Sequence, residues 1–204
     1  MVKFMKIIKY IMKGSYLVHK VLKNMFKVMV DESYSDEEKE FLEYIFILYS
    51  FEIMKAVAII FSFFVIGYIK EALIICTVMF FSRPFIGGYH EDTQFKCLII
   101  TFASVFWILL LGKNSQLTFN ANILLIILSI FCIWNQAPLI DEKMPLTKEY
   151  LIKRNKIIGT IIISIFAILS VFIYGKSNYY IFITWTIVFQ ALMMFKKNKV
   201  NKIS

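Results

Sequence analysis

Charge is scarce in this chain of 204 residues. Asp, Glu, Lys and Arg make up 18% of it, against roughly 25% in soluble domains. The polar residues collect at the ends and in short breaks instead of interleaving at helix or strand period, which excludes a soluble domain with a large core. Asn, Gln, Ser and Thr are too sparse for the polar–apolar alternation of a porin-like barrel. Only three cysteines occur, Cys76, Cys97 and Cys132, with no CxxC and no pairing pattern. Neither a disulfide framework nor a zinc site is expected from them. The first segment lacks a small-residue cleavage site and carries lysines throughout, so it is not expected to be a signal peptide. No internal repeat of the transporter kind is visible.

What is present is oil in blocks. Hydrophobic residues make up 59% and the mean hydropathy is +0.70. The pattern predicts an all-α, polytopic membrane protein embedded in the lipid bilayer, one membrane domain over 1–204. Within it, 1–30 is an amphipathic interfacial helix, 41–195 holds about six hydrophobic helices, and 196–204 is a basic tail. The net charge is +9. In a soluble protein that would raise nucleic acid as a partner; here the cytoplasmic bias of Lys and Arg accounts for it, and no nucleic-acid partner is expected.

In the opening stretch, Lys6, Lys13, Lys20 and Lys27 are seven apart. Lys3, Lys9 and Lys23 fall on the same side at 100° per residue, and apolar residues fill the other. That is a helix suited to lie at the interface with its lysines toward anionic lipid. Ser35-Asp36-Glu37-Glu38 then reads as a helix start.

The six segments run from about Phe41 to Ile69, Ala72 to Phe81, Phe95 to Leu111, Phe119 to Trp134, Ile157 to Tyr174 and Tyr179 to Phe195. The second is short for a ~30 Å hydrocarbon core, and Pro84 is expected to stop it. If the segments alternate from a cytoplasmic N-terminus, 19 of the 23 Lys and Arg lie inside. The outside turns hold three, Lys70, Lys113 and Lys176, and Lys55 lies within a span. This bias predicts that both termini are cytoplasmic. Lys55 sits three residues from Glu52, so the two share a helix face and neutralise each other. The pair is open to a structural reading, near a wet cavity or not, and to a role around a substrate.

Between the second and third segments lies "SRPFIGGYHEDTQFKC". A thiol beside an imidazole can act as a nucleophile, with the imidazole taking the proton. His90 and Cys97 are seven apart, which on one continuous helix puts them about 10 Å apart, too far for a hydrogen bond. Gly87-Gly88 can break the helix, and Asp92 or Thr93 can cap the next one. Cys97 then falls just past a first helical turn, where partial positive charge favours thiolate, and the loop can fold His90 back onto it. Arg83, at the membrane edge, can hold a phosphate, cap carbonyls or bind a carboxylate. Spacing alone does not separate catalysis from coincidence. Cys76 and Cys132 read as small buried hydrophobes, and His19 as a surface residue.

"RPFIGGYHEDTQFKC" resembles the signature of the accessory gene regulator B (AgrB) family, membrane endopeptidases of bacterial quorum sensing. Its members carry an Arg, a Gly-Gly just before a His, and a Cys seven residues after that His. The matching positions are Arg83, Gly87, Gly88, His90 and Cys97. The later "NQAPLIDEKMPLTKEYLIKRNK" resembles the family's cytoplasmic loop. The resemblance implies a cysteine endopeptidase that removes the acidic tail of an AgrD-like precursor peptide through a Cys97 thioester, with His90 as the proton carrier. A Cys or Ser of the peptide then closes a thiolactone or lactone ring. It implies no metal or organic cofactor, and it allows a homodimer. His90 is followed by Glu91-Asp92, where the family commonly has a small and then a basic residue. These acids either favour a charged imidazole or are solvated helix-start residues. Lys143, Lys148, Lys153 and Arg154, together with Lys156, would attract the acidic tail or serve only as topology determinants. Outside the family, the alternatives are a small peptide exporter without proteolytic activity and a metal-binding membrane protein, the latter with only two soft ligands near each other.

Overall fold

Apolar blocks of this length become helices because a helix satisfies its own backbone N–H and C=O groups, as a hydrocarbon surround requires. The computed structural model describes residues 21–26, 36–87, 94–138 and 149–195, and among them all regular structure is helical. The architecture is the all-α one that the apolar blocks imply. Six helices follow in order: α1 Asp36–Val65, α2 Ile69–Ile86, α3 Gln94–Asn114, α4 Phe119–Gln136, α5 Glu149–Ile173 and α6 Tyr179–Met193. Among the described residues three stretches, Lys96–Asn114, Phe119–Gln136 and Ile152–Ile173, are long and apolar enough to cross a membrane. Large apolar side chains such as Phe61, Phe131, Ile168 and Phe172 point outward, the inverse of a water-soluble surface. The chain is a membrane protein.

Pro84 does not stop α2. The helix runs on to Ile86 and ends at Gly87, whose φ of +76° suits glycine. The Gly87 N–H closes the last turn on the Arg83 carbonyl at 3.0 Å. The proline ring removes only the bond to Phe80, and both residues lie on the exposed side of the helix. With 18 residues, α2 is about 27 Å long, where the apolar run alone suggested about half a bilayer.

The chain divides into two compact units. One comprises residues 1–58 and 91–99, the other 59–90 and 100–204. In the first, residues 21–26 are helical and lie against α1. Lys23 pairs with Glu43 at 2.8 Å, and the Phe26 and Phe46 ring centroids are 5.8 Å apart. Of the expected interfacial helix at 1–30, the remainder lies outside the described residues, as do the C-terminal tail and His19.

In the second unit α6 is the central element. It packs against α2, α4 and α5 and is buried around most of its circumference, as expected of a helix apolar on all sides. Thr184 and Gln190 find partners on the neighbouring helices. Ser170 of α5 and Thr184 of α6 share a hydrogen bond of 2.8 Å, and the Thr184 hydroxyl is 2.6 Å from Asn122 Oδ1 on α4. Ser82 of α2 meets Gln190 of α6, with the amide Nε2 donating to Oγ at 2.7 Å. Such bonds join helices where apolar contact gives no preference over lipid.

Three turns gather at one end of this unit. The Lys113 ammonium lies 3.9 Å over the Tyr68 ring. The Tyr174 and Tyr180 hydroxyls both donate to the Leu117 carbonyl, at 3.4 and 3.0 Å. The linkers after α1, α3 and α5 therefore share a side.

Glycine fixes two close approaches. A Cβ at Gly112 would lie 2.5 Å from the Phe182 ring. At Gly159 of α5 it would lie 2.5 Å from the Ile86 side chain and 3.1 Å from the Ile86 backbone nitrogen. The end of α2 thus rests directly on α5. Replacing Gly159 with Val should destabilise the protein by about 1–3 kcal/mol through overpacking. The check is the thermal midpoint in detergent; an unchanged midpoint would show that the two helices are not held so closely.

Candidate active site

The described part of the site starts from α1. Phe51, Lys55, Ile59 and Phe63 recur every four residues and are all buried, so they form one ridge of that helix. Three are apolar and the fourth is a lysine, 7% exposed. A lysine in such a place ordinarily runs its stem out to carry the ammonium to water. Here Nζ turns inward instead. It donates to Oε1 of Glu52, one turn back on α1, and it lies 3.4 Å from Sγ of Cys97.

Cys97 is the fourth residue of α3 and 6% exposed. Its thiol is not in a disulfide. The helix is described from Gln94 on, and the capping candidates Asp92 and Thr93 lie outside the described residues. So do Gly88 and His90, and with them the distance between imidazole and thiol.

Sequence reasoning singled out Cys97 and noted the Glu52–Lys55 pair separately. It did not join the two. The available signal was a pair of opposite charges three residues apart in an otherwise apolar helix, which marks a site but does not name the partner 42 residues on.

Arg83 lies in the last turn of α2, half-buried. Its Nη1 donates to Thr101 Oγ1 on α3 at 3.2 Å. Arg83, Gly87, Thr101 and Gln190 line a cavity in the second unit, closed by apolar residues including Met79 and Phe189. A guanidinium, a hydroxyl and an amide facing one recess form a polar lining on an apolar wall, the usual make-up of a ligand pocket. Gly87 bends the chain out of α2 immediately before residues 88–93.

The basic loop is divided. Lys143 and Lys148 lie outside the described residues. Lys153 and Arg154 sit in the first turns of α5 and are exposed. Lys153 is engaged by Glu149 at 2.8 Å, with both side chains more than two-thirds exposed. An exposed pair of this spacing stabilises by roughly 0.3–0.5 kcal/mol and leaves both groups easily recruited by another charge. The Lys156 ammonium lies 4.7 Å over the Trp134 ring. Cys76 is buried and Cys132 half-buried. Among the described residues no three His, Cys, Asp or Glu side chains come together to hold a metal ion.

Comparison with known proteins finds similarity over nearly the whole chain. The family model for accessory gene regulator B matches residues 15–194. The AgrB-like protein 1 of Clostridium perfringens (strain 13 / Type A) is 41% identical over 167 residues, covering 80% of this chain and 89% of that protein. No solved structure matches.

Proposed function

The chain belongs to the accessory gene regulator B family, and from that premise we propose that it is a membrane cysteine endopeptidase. Family membership carries a quorum-sensing role, exercised at the membrane with an AgrD-type precursor. The proposed chemistry is specific to residues of this chain. The Cys97 thiolate attacks the carbonyl carbon preceding the precursor's acidic tail. The C–S bond forms, the C–N bond breaks, and His90 delivers to the leaving amine the proton it took from the thiol. A thioester on Cys97 results. A Cys or Ser of the peptide attacks that thioester, closing the ring and returning Cys97 to its starting form. The observation that carries this reading is the placement of Cys97, a buried thiol in the opening turns of α3 beside a buried ammonium.

Thioester exchange is nearly balanced in energy, so the cycle gains its direction from release of the tail. Arg83, Gly87 and Gly88 support the site: Arg83 lines the recess beside the loop's origin, and the glycines let the chain leave α2 and return as α3. The basic residues from Lys143 to Arg154 receive the acidic tail. In this reading the six helices alternate across the bilayer with both termini cytoplasmic. The gathering at one end of the three turns next to Lys70, Lys113 and Lys176 supports that arrangement.

Co-expression with an AgrD-like precursor tests the chemistry. The parent should yield the tail-less peptide, seen by mass spectrometry. Cys97→Ser and His90→Ala should each lower its formation by on the order of 10³ or more. Cleavage at the parental rate by Cys97→Ser would reject the peptidase and leave an exporter as the better description.

Recognition of the tail is a separate matter. Lys143→Gln with Lys148→Gln should weaken cleavage at low salt by about tenfold, and the difference should shrink as salt is raised. Unchanged cleavage at low salt would remove these two lysines from substrate binding.

Topology is checked by a membrane-impermeant maleimide on intact cells. A thiol introduced as Lys176→Cys should label at once, and one introduced as Lys39→Cys only after the membrane is opened. The reverse order would invert the scheme.

A further inference from the structure

Lys55 lies in an apolar helix whose outer face meets lipid, so its ammonium has to be matched inside the protein. Glu52, three residues away on the same helix and 28% exposed, supplies one partner. Taking an ammonium out of water is costly, and one carboxylate seldom repays it unless the remaining protons are also used. Here they are used on sulfur: Nζ is 3.4 Å from Cys97 Sγ, and both side chains are more than nine-tenths buried.

The helix start also favours negative charge on Cys97, as about half a unit charge roughly one turn away. A full charge at 3.4 Å acts on the sulfur roughly two to three times more strongly by Coulomb's law alone.

We propose that Lys55 is the thiolate-stabilising residue of this site, with Glu52 fixing its position. The assignment rests on the cysteine-peptidase reading above and adds a residue to it. Lys55 moves no proton. The one that leaves Sγ goes to His90, and the ammonium keeps its three while facing the anion that remains. It lowers the cost of the attacking form, and it offers the same stabilisation when the thioester collapses and the sulfur leaves as an anion.

The test needs no substrate. The full-length protein in membrane vesicles is treated with iodoacetamide, and the alkylation rate of each cysteine is followed by peptide-resolved mass spectrometry. An opposite charge within about 4–6 Å changes an ionisation equilibrium by one to three powers of ten. Lys55→Gln, which keeps a hydrogen-bond donor but no charge, should slow alkylation of Cys97 at least tenfold, and Lys55→Met likewise. Lys55→Arg should stay within about threefold of the parent. Cys132, half-buried on α4, is the internal reference and should not change in any variant. A parental rate at Cys97 in either neutral variant overturns the assignment. So does equal slowing in Lys55→Arg, and so does a fall shared by Cys132, which would mean general damage. These rates decide Lys55 alone; cleavage of the precursor by the unsubstituted chain decides the peptidase reading.

Discussion

A charged group shut away from water has to be matched inside the protein, and in this chain the matching of Lys55 sets the surroundings of the Cys97 thiol. Breaking a buried ion pair costs about 3–5 kcal/mol, a large share of the roughly 5–15 kcal/mol that holds a typical domain folded. The register of α1 is therefore tied to its buried ridge: a rotation that exposed the lysine would also expose Phe51, Ile59 and Phe63. Through the same contact, the first turns of α3 are set against α1. The Cys97 sulfur is thereby placed by helix packing within its unit.

The second unit follows the same rule with neutral groups. Ser170, Thr184 and Asn122 form a chain of hydroxyl and amide contacts through α5, α6 and α4. Ser82 and Gln190 join α2 to α6. Apolar side chains pack as well against lipid as against each other, so these few polar contacts and the glycine approaches at Gly112 and Gly159 choose which helices touch. Gly159 seats Ile86, and Gly87 leaves the helix from that seat.

The helices were legible in the sequence because each is a nearly unbroken apolar run, and such runs leave no other backbone solution in lipid. The end of α2 was misread at Pro84, since a proline costs only one hydrogen bond when it faces outward and Gly87 offers a better stop three residues on. The fifth helix begins at Glu149, well before the apolar run at Ile157, because a Glu–Lys pair and an amphipathic turn extend it beyond the oil. Cys97 was found through its motif. Lys55 was visible as an oddity in α1, but a contact spanning 42 residues leaves no trace in local pattern.

With 15 residues, α6 is about 22 Å long, while α5 with 25 reaches about 38 Å. Hydrophobic mismatch therefore falls on the longer helices, which can tilt to suit a thicker or thinner bilayer. The short helix is buried around most of its circumference and packs against α2, α4 and α5, so it meets the bilayer chiefly through them.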